Sequence, residues 1–379
     1  MGTARVDTKR HVTALDGVRG LAILAVVAYH VTPAHVPFGT IGVTVFFVLS
    51  GFLITGLMLR EREARGRFDY LAFYGRRALR LYPALILAVL GGWALQVLLR
   101  DPQAFTTYPA EALVGFLYLG DIAQPMGMDM PMLGHTWSLA VEEQFYLVWP
   151  ALFVGVLFVL AKGDHRRLGR WVLGAAAVSL AWRLGVTLLS SDPVRMYFAP
   201  DTNAFALLLG GALAISGIAV TPRRWMAWAS SIALVVLAVI PVFDRSVDGW
   251  RLTMVIGTAA ALIAAILVWS APTAGRLLEN RVLVWIGRVS YGWYLWHQII
   301  WGLQPFGRPF DGAGVHVVIA VAALVPTALS YYLVERPLQR RFKRYVQPRA
   351  LAAVAPGERV REHRDVLIAP SRQDTETPV

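Results

Sequence analysis

Apolar runs of membrane-spanning length recur along nearly the whole chain, at 12–32, 40–59, 78–99, 138–161, 171–190, 202–219, 226–243, 252–270, 283–304 and 314–334. A helix needs about 20 predominantly apolar residues to cross a hydrocarbon core, so this pattern predicts about ten transmembrane helices. The run near 110–120 is too short to cross. It falls with 100–137 in one long loop and reads as a re-entrant or interfacial segment. The expected fold is all-α, a polytopic membrane helix bundle over 1–345, followed over 346–379 by a cytoplasmic tail with the polar, Pro-containing composition of disordered chain. No internal repeat or inverted pseudo-symmetry is visible.

Composition agrees with this pattern. Of 379 residues, 56% are hydrophobic, and the mean hydropathy is +0.53, too apolar for an ordinary soluble domain. Asp16 and Arg19 interrupt the first apolar stretch and no small-residue cleavage pattern follows it. That stretch is therefore expected to remain as a spanning helix instead of being removed as a signal peptide. The net charge of +12 could suggest nucleic acid, but the charges follow the membrane. Of 36 Lys and Arg residues, 29 fall on the side of the N-terminus, five fall on the other side, and Arg19 and Arg183 lie within spans. That bias puts both termini in the cytoplasm of a multi-pass cell-membrane protein, with no nucleic-acid partner. Cysteine is absent, which excludes disulfides, thiolate metal sites and cysteine nucleophiles; no metal site is expected.

Candidate chemistry lies where ionisable groups enter apolar runs, because a charge there is costly and faces a protein interior. Asp16, Arg19 and His30 share one face of the first helix. In HTWSLAVEEQFYLVWP, 135–150, Ser138, Glu142 and Tyr146 form a polar stripe at i, i+4 and i+8. The topology puts His30, Glu142 and His297 at similar depth near the outer ends of three helices. A histidine with a carboxylate beside it can act as a general base. Neither G-x-S-x-G nor H-E-x-x-H occurs, which argues against a serine hydrolase or a zinc protease, so the substrate is expected to supply the nucleophile. On the inner side, Arg77 and Arg80 are i, i+3 neighbours whose guanidinium forks could converge on one phosphate, or could act as positive-inside anchors.

These stretches resemble the membrane acyltransferase-3 family over most of 13–337. The blocks are LDGVRGLAILAVVAYH at 15–30, GVTVFFVLSGFLIT at 42–55, RRALRLYPAL at 76–85, HTWSLAVEEQFYLVWP at 135–150, SYGWYLWHQ at 290–298 and VERP at 334–337. The resemblance implies transfer of an acyl group, most often acetyl, from cytoplasmic acyl-CoA to a hydroxyl of a sugar or related acceptor. It implies His30 as catalytic histidine, Arg19 as the first-helix arginine, Arg77 and Arg80 as the pair meeting CoA phosphate, and Glu142 as the fourth-helix acid. Trp137, Ser138, Asp201 and His297 are the expected acceptor contacts. Thr44 stands where an acidic residue is often found and Asn203 where an arginine is, which leaves Asp16, Glu142 or Asp201 as acidic neighbours for His30. The sequence has no segment resembling the esterase-like domain of some polysaccharide-modifying relatives, so the membrane domain is expected to handle the acceptor alone, which is compatible with a small acceptor. An envelope glycan, a lipid-linked sugar and a macrolide-type metabolite all fit. A transporter or flippase is the rival from another class, since intramembrane charges also line substrate pathways, but it predicts inverted repeats and paired broken helices.

Overall fold

The computed structural model of the protein describes residues 8–31, 38–216, 223–243, 249–302 and 313–342. Among the described residues there is no strand. The long helices are α1 (Thr8–Val31), α2 (Phe38–Arg65) and α3 (Tyr70–Leu98). Two short ones follow, α4 (Tyr108–Phe116) and α5 (Gly120–Ala123). Next comes α6 (Trp137–Pro150), running on through a π-helical stretch, Ala151–Leu157, into α7 (Phe158–Leu160). The second half comprises α8 (His165–Leu189), α9 (Pro193–Phe198), α10 (Pro200–Ser216), α11 (Arg224–Phe243), α12 (Gly249–Ser270) and α13 (Arg281–Gly302). Helices α14 (Ala313–Ala322) and α15 (Leu324–Leu329) form the final span.

Within the described residues, all ten apolar runs read from the sequence fall on helices. Among the described residues, eight helical segments are long and apolar enough to cross a membrane. The other two are α11, whose described apolar stretch is shorter, and α13, which spans 22 residues with Arg281 and Arg288 in its first half. The short run near 110–120 becomes α4, nine residues long. The tail expected at 346–379 lies outside the described residues.

Helix α2 is central, with 72% of its apolar window inside the protein, whereas α8 and the last span, each 22% inside, are peripheral. Their outward faces carry exposed Leu188, Leu189, Val318 and Leu333, which suits contact with lipid chains. Lipid is as apolar as leucine, so close packing of small residues must bring such helices together. A Cβ added at Gly51 would collide with the carbonyl of Leu207 on α10, and one at Gly210 with that of Val48 on α2. The same reciprocity joins α1 to α13, where a Cβ at Gly287 would strike the Asp16 carbonyl. Aspartates at the membrane edge start helices: Asp69 caps α3 by accepting from Ala72 N at 2.9 Å, and Asp164 caps α8 through Arg166 N at 2.8 Å, each satisfying an otherwise orphan amide.

The loop at 99–136 is ordered over one end of the bundle. The buried Glu111 accepts from Met132 N at 2.7 Å and also from Leu133 N. Gln124 Nε2 donates to Gly134 O at 2.8 Å, and Gln144 Nε2 donates to Asp121 Oδ1 at 3.0 Å. These bonds hold Met130 to Gly134 across the mouth of the site described next.

Candidate functional site

His30 lies in the last turn of α1, with Nδ1 3.0 Å from Val26 O. A carbonyl only accepts, so Nδ1 carries the proton and Nε2 keeps the lone pair that a base requires. His297 on α13 repeats the arrangement. Its Nδ1 donates to Trp293 O at 3.0 Å, and its buried Nε2 has no partner among the described residues. The two rings meet edge to face with centroids 4.9 Å apart. His135, from the turn before α6, lies 5.7 Å from His297, and neither of its buried ring nitrogens has a partner among the described residues. Three imidazoles thus converge at one end of the bundle. His30 and His135 line a cavity of about 240 Å³, walled by Tyr29 and Trp137 and roofed by Gln124 and Met130.

A second cavity, of about 340 Å³, lies toward the other end and is lined by Arg19, Arg60, Arg77 and Arg80. The two arginines of α3 differ in their commitments. Arg77 Nη2 donates to Glu143 Oε1 at 2.9 Å, and its guanidinium lies over the Tyr146 ring, 3.3 Å from the centroid. Arg80 makes no ion pair among the described residues. Arg77 is paired with Glu143 and Arg19 with Asp16, and Glu142 and Glu143 also line the chamber, so four guanidinium groups outnumber the two carboxylates of the lining and suit it to a polyanion such as a nucleotide phosphate. Its lining is mixed, with apolar Leu53, Ile54 and Leu57 as well as Glu142 and Tyr146.

Several expected placements are corrected. Glu142 does not share the depth of His30. Seven residues separate it from His135, about 10 Å along a helix, and it lines the arginine chamber. There it accepts from Ser50 Oγ at 3.0 Å and Tyr146 OH at 3.3 Å. Asp16 is farther away still, 14 residues or about 21 Å down α1 from His30. It pairs with Arg19 at 3.3 Å and with Arg288 Nε at 3.2 Å, tying α1 to α13. Asp201 accepts from Trp182 Nε1 and from Arg195 Nη2, each at 2.8 Å, and lines neither cavity. No carboxylate therefore orients His30 among the described residues; His297 and His135 are its polar neighbours.

The remaining expected residues are close to the two cavities. Trp137 lines the histidine cavity and Ser138 the arginine chamber, adjacent in sequence but on opposite sides of one wall. Thr44 and Asn203 both face a fifth arginine, Arg183 of α8. Its buried guanidinium donates to Thr202 O at 2.8 Å, Thr258 Oγ1 at 3.1 Å and Asn203 Oδ1 at 3.4 Å. Thr44, Arg183 and Asn203 line one small recess, so a guanidinium from α8 stands beside position 203. Sequence reasoning passed over His135, Glu143 and Tyr294 as site residues. The signal for His135 was present, a histidine at the boundary of a polar loop and a helix. For Tyr294 there was none, because one tyrosine among thirteen carries no mark of its position. Among the described residues no group of three or more His, Asp or Glu side chains is placed to hold a metal ion.

A family profile described as an acyltransferase domain, acyltransferase-3, matches residues 12–335. Among curated relatives, the peptidoglycan O-acetyltransferase OatA of Listeria monocytogenes is 29% identical over 355 residues, covering 88% of this chain and 56% of that protein. The putative peptidoglycan O-acetyltransferase YrhL of Bacillus subtilis is 30% identical over 362 residues, covering 87% and 55%. A putative O-acetyltransferase of Staphylococcus aureus strain COL, SACOL0978, is 27% identical over 362 residues, covering 89% and 59%. The chain spans somewhat more than half the length of these relatives. No solved structure matches it.

Proposed function

Because the chain belongs to the acyltransferase-3 family, we propose that it is an integral membrane O-acyltransferase that moves an acetyl group from acetyl-CoA to a hydroxyl of a carbohydrate acceptor. The observation that carries this reading is the pair of cavities, an arginine chamber at one end and a histidine cavity at the other. CoA phosphates bind among Arg60, Arg77 and Arg80 on the cytoplasmic side of the cell membrane. The thioester points toward His30. Nε2 of His30 takes the proton as the acceptor oxygen attacks the thioester carbonyl carbon. The carbon–sulfur bond breaks, and the proton passes to the departing thiolate, leaving an ester and free CoA. Held by Val26, the His30 ring presents its basic nitrogen without needing a carboxylate to choose its tautomer. His297 and His135 supply the polar surroundings into which that ring becomes charged, and Trp137 with His297 contacts the acceptor. The names of the relatives favour a cell-envelope glycan as that acceptor.

The test is CoA release and ester formation by the whole protein in proteoliposomes, with acetyl-CoA as donor and soluble peptidoglycan fragments as acceptor. His30→Gln should lower turnover by about 10²–10⁴-fold, the usual contribution of a general base, while still retaining CoA on a thiol-affinity resin. Turnover by His30→Gln within threefold of wild type would remove His30 from the mechanism.

A further inference from the structure

One face of α2 runs the full length of both cavities: Gly39 and Val43 in the histidine cavity, then Val43 again, Phe47, Ser50 and Leu57 in the arginine chamber. The steps of 4, 4, 3 and 7 residues keep these positions on one helical stripe. The two cavities are therefore segments of one path along the bundle. Val43 and Tyr294 of α13 are the two side chains that line both, so they stand where the path narrows between donor and base.

Both sides of that narrowing are stiff. Val43 is β-branched and limited in χ1 within a helix. The Tyr294 hydroxyl is 2.7 Å from Ser138 Oγ and donates to His135 O at 2.7 Å, which fixes its ring across the path. The same ring lies 5.0 Å from the His135 imidazole and 5.7 Å from that of His297. An acyl group travelling from the arginine chamber to His30 must pass this point with its carbon tail leading.

We propose that Val43 and Tyr294 form the aperture through which the acyl group reaches His30, and that side-chain bulk at position 43 selects among acyl groups. A two-carbon acyl group passes, and one branched beside the carbonyl does not. This rests on the acyl-CoA reading above. It adds that donor selectivity resides at the partition, away from both the phosphate contacts and the base. Selection by fit in an apolar aperture is worth about 10–200-fold per carbon, so a change of one or two carbons at Val43 is large enough to measure.

The experiment presents acetyl-CoA, propionyl-CoA and isobutyryl-CoA to the full chain in proteoliposomes and reads CoA release in the presence of peptidoglycan fragments. Val43→Ala should raise the isobutyryl-to-acetyl ratio at least tenfold over wild type. Val43→Ile, which narrows the path and keeps the β-branch, should lower the propionyl-to-acetyl ratio by a similar factor. Tyr294→Phe keeps the ring but frees it from Ser138 and His135, and should also raise the isobutyryl ratio. Donor ratios equal to wild type in both Val43 variants overturn the aperture and leave the acyl-CoA reading standing. Wild-type protein that releases CoA from none of the three donors overturns both.

Discussion

Arg77 and Arg80, one helical turn apart, are held differently. Arg77 is an ion-paired, ring-stacked side chain whose neighbours Glu143 and Tyr146 both sit on α6, so it binds α3 to α6 whatever it does for a ligand. Arg80 faces the same chamber and makes no ion pair among the described residues. Replacing one member of a buried pair leaves the other desolvated and uncompensated, at about 3–5 kcal/mol. The lower end applies here because the Glu143 side chain keeps 22% of its surface exposed. Arg77→Ala is accordingly expected to lower thermal stability, by about 3 kcal/mol, with partial recovery in the double variant Arg77→Ala, Glu143→Gln. Arg80→Ala should leave the melting temperature within a few degrees of wild type and narrow the preference for acetyl-CoA over its 3′-dephospho form. Should Arg80→Ala keep the full wild-type preference, Arg80 is a topological anchor and contacts no CoA phosphate.

Among the elements, the loop at 99–136 shows how irregular backbone is held over a membrane site. Its tie is Glu111, which burial pushes from an ordinary value of 4.5 up to about 7, against the opposing effect of the two amides it accepts from. Between those values the closed loop holds a proton that the opened loop has lost. Protons bound in the native state then exceed those bound in the open state, and stability falls as pH rises from about 4.5 to about 7, levelling outside that window. Hydrogen-exchange protection factors over Met130 to Gly134, corrected for the intrinsic rate, should therefore be higher at pH 5 than at pH 8. Glu111→Gln should remove the difference. Equal protection at the two pH values in wild-type protein would mean that Glu111 does not hold the loop in its protonated form. Since Met130 and Gly134 line the histidine cavity, acceptor binding should follow the same trend.

At the scale of the molecule, the proposed reaction needs its arginine chamber on the cytoplasmic side and the long loop outside. The absence of native cysteine makes this testable by single introductions. Ala64, exposed in the last turn of α2, and Met126, 82% exposed in the loop, stand at opposite ends of the bundle. A cysteine at 126 should react with an impermeant thiol reagent in intact cells, and one at 64 should react only after lysis; the reverse pattern would put cytoplasmic CoA on the wrong side of Arg77 and Arg80. Helix positions, the short run at α4 and the charge bias were all legible in the sequence, because apolar length and Lys and Arg placement are local properties that the bilayer reads directly. The candidates at the two cavities could also be picked out locally, His30 as a costly group in an apolar run and Arg77 with Arg80 as i, i+3 neighbours at the inner end of one; the roles given to them are the proposal's. What only the tertiary structure decided was depth and rotation across helices. It gave Glu143 to Arg77, moved Glu142 and Asp16 away from His30, brought His135 and His297 beside it, and left Val43 and Tyr294 between two cavities. A helix in lipid is apolar nearly all round, so its own pattern seldom says which face turns inward. That choice is made by close contacts such as Gly51 on α10 and Gly287 on α1, whose partners lie more than 150 residues away in sequence.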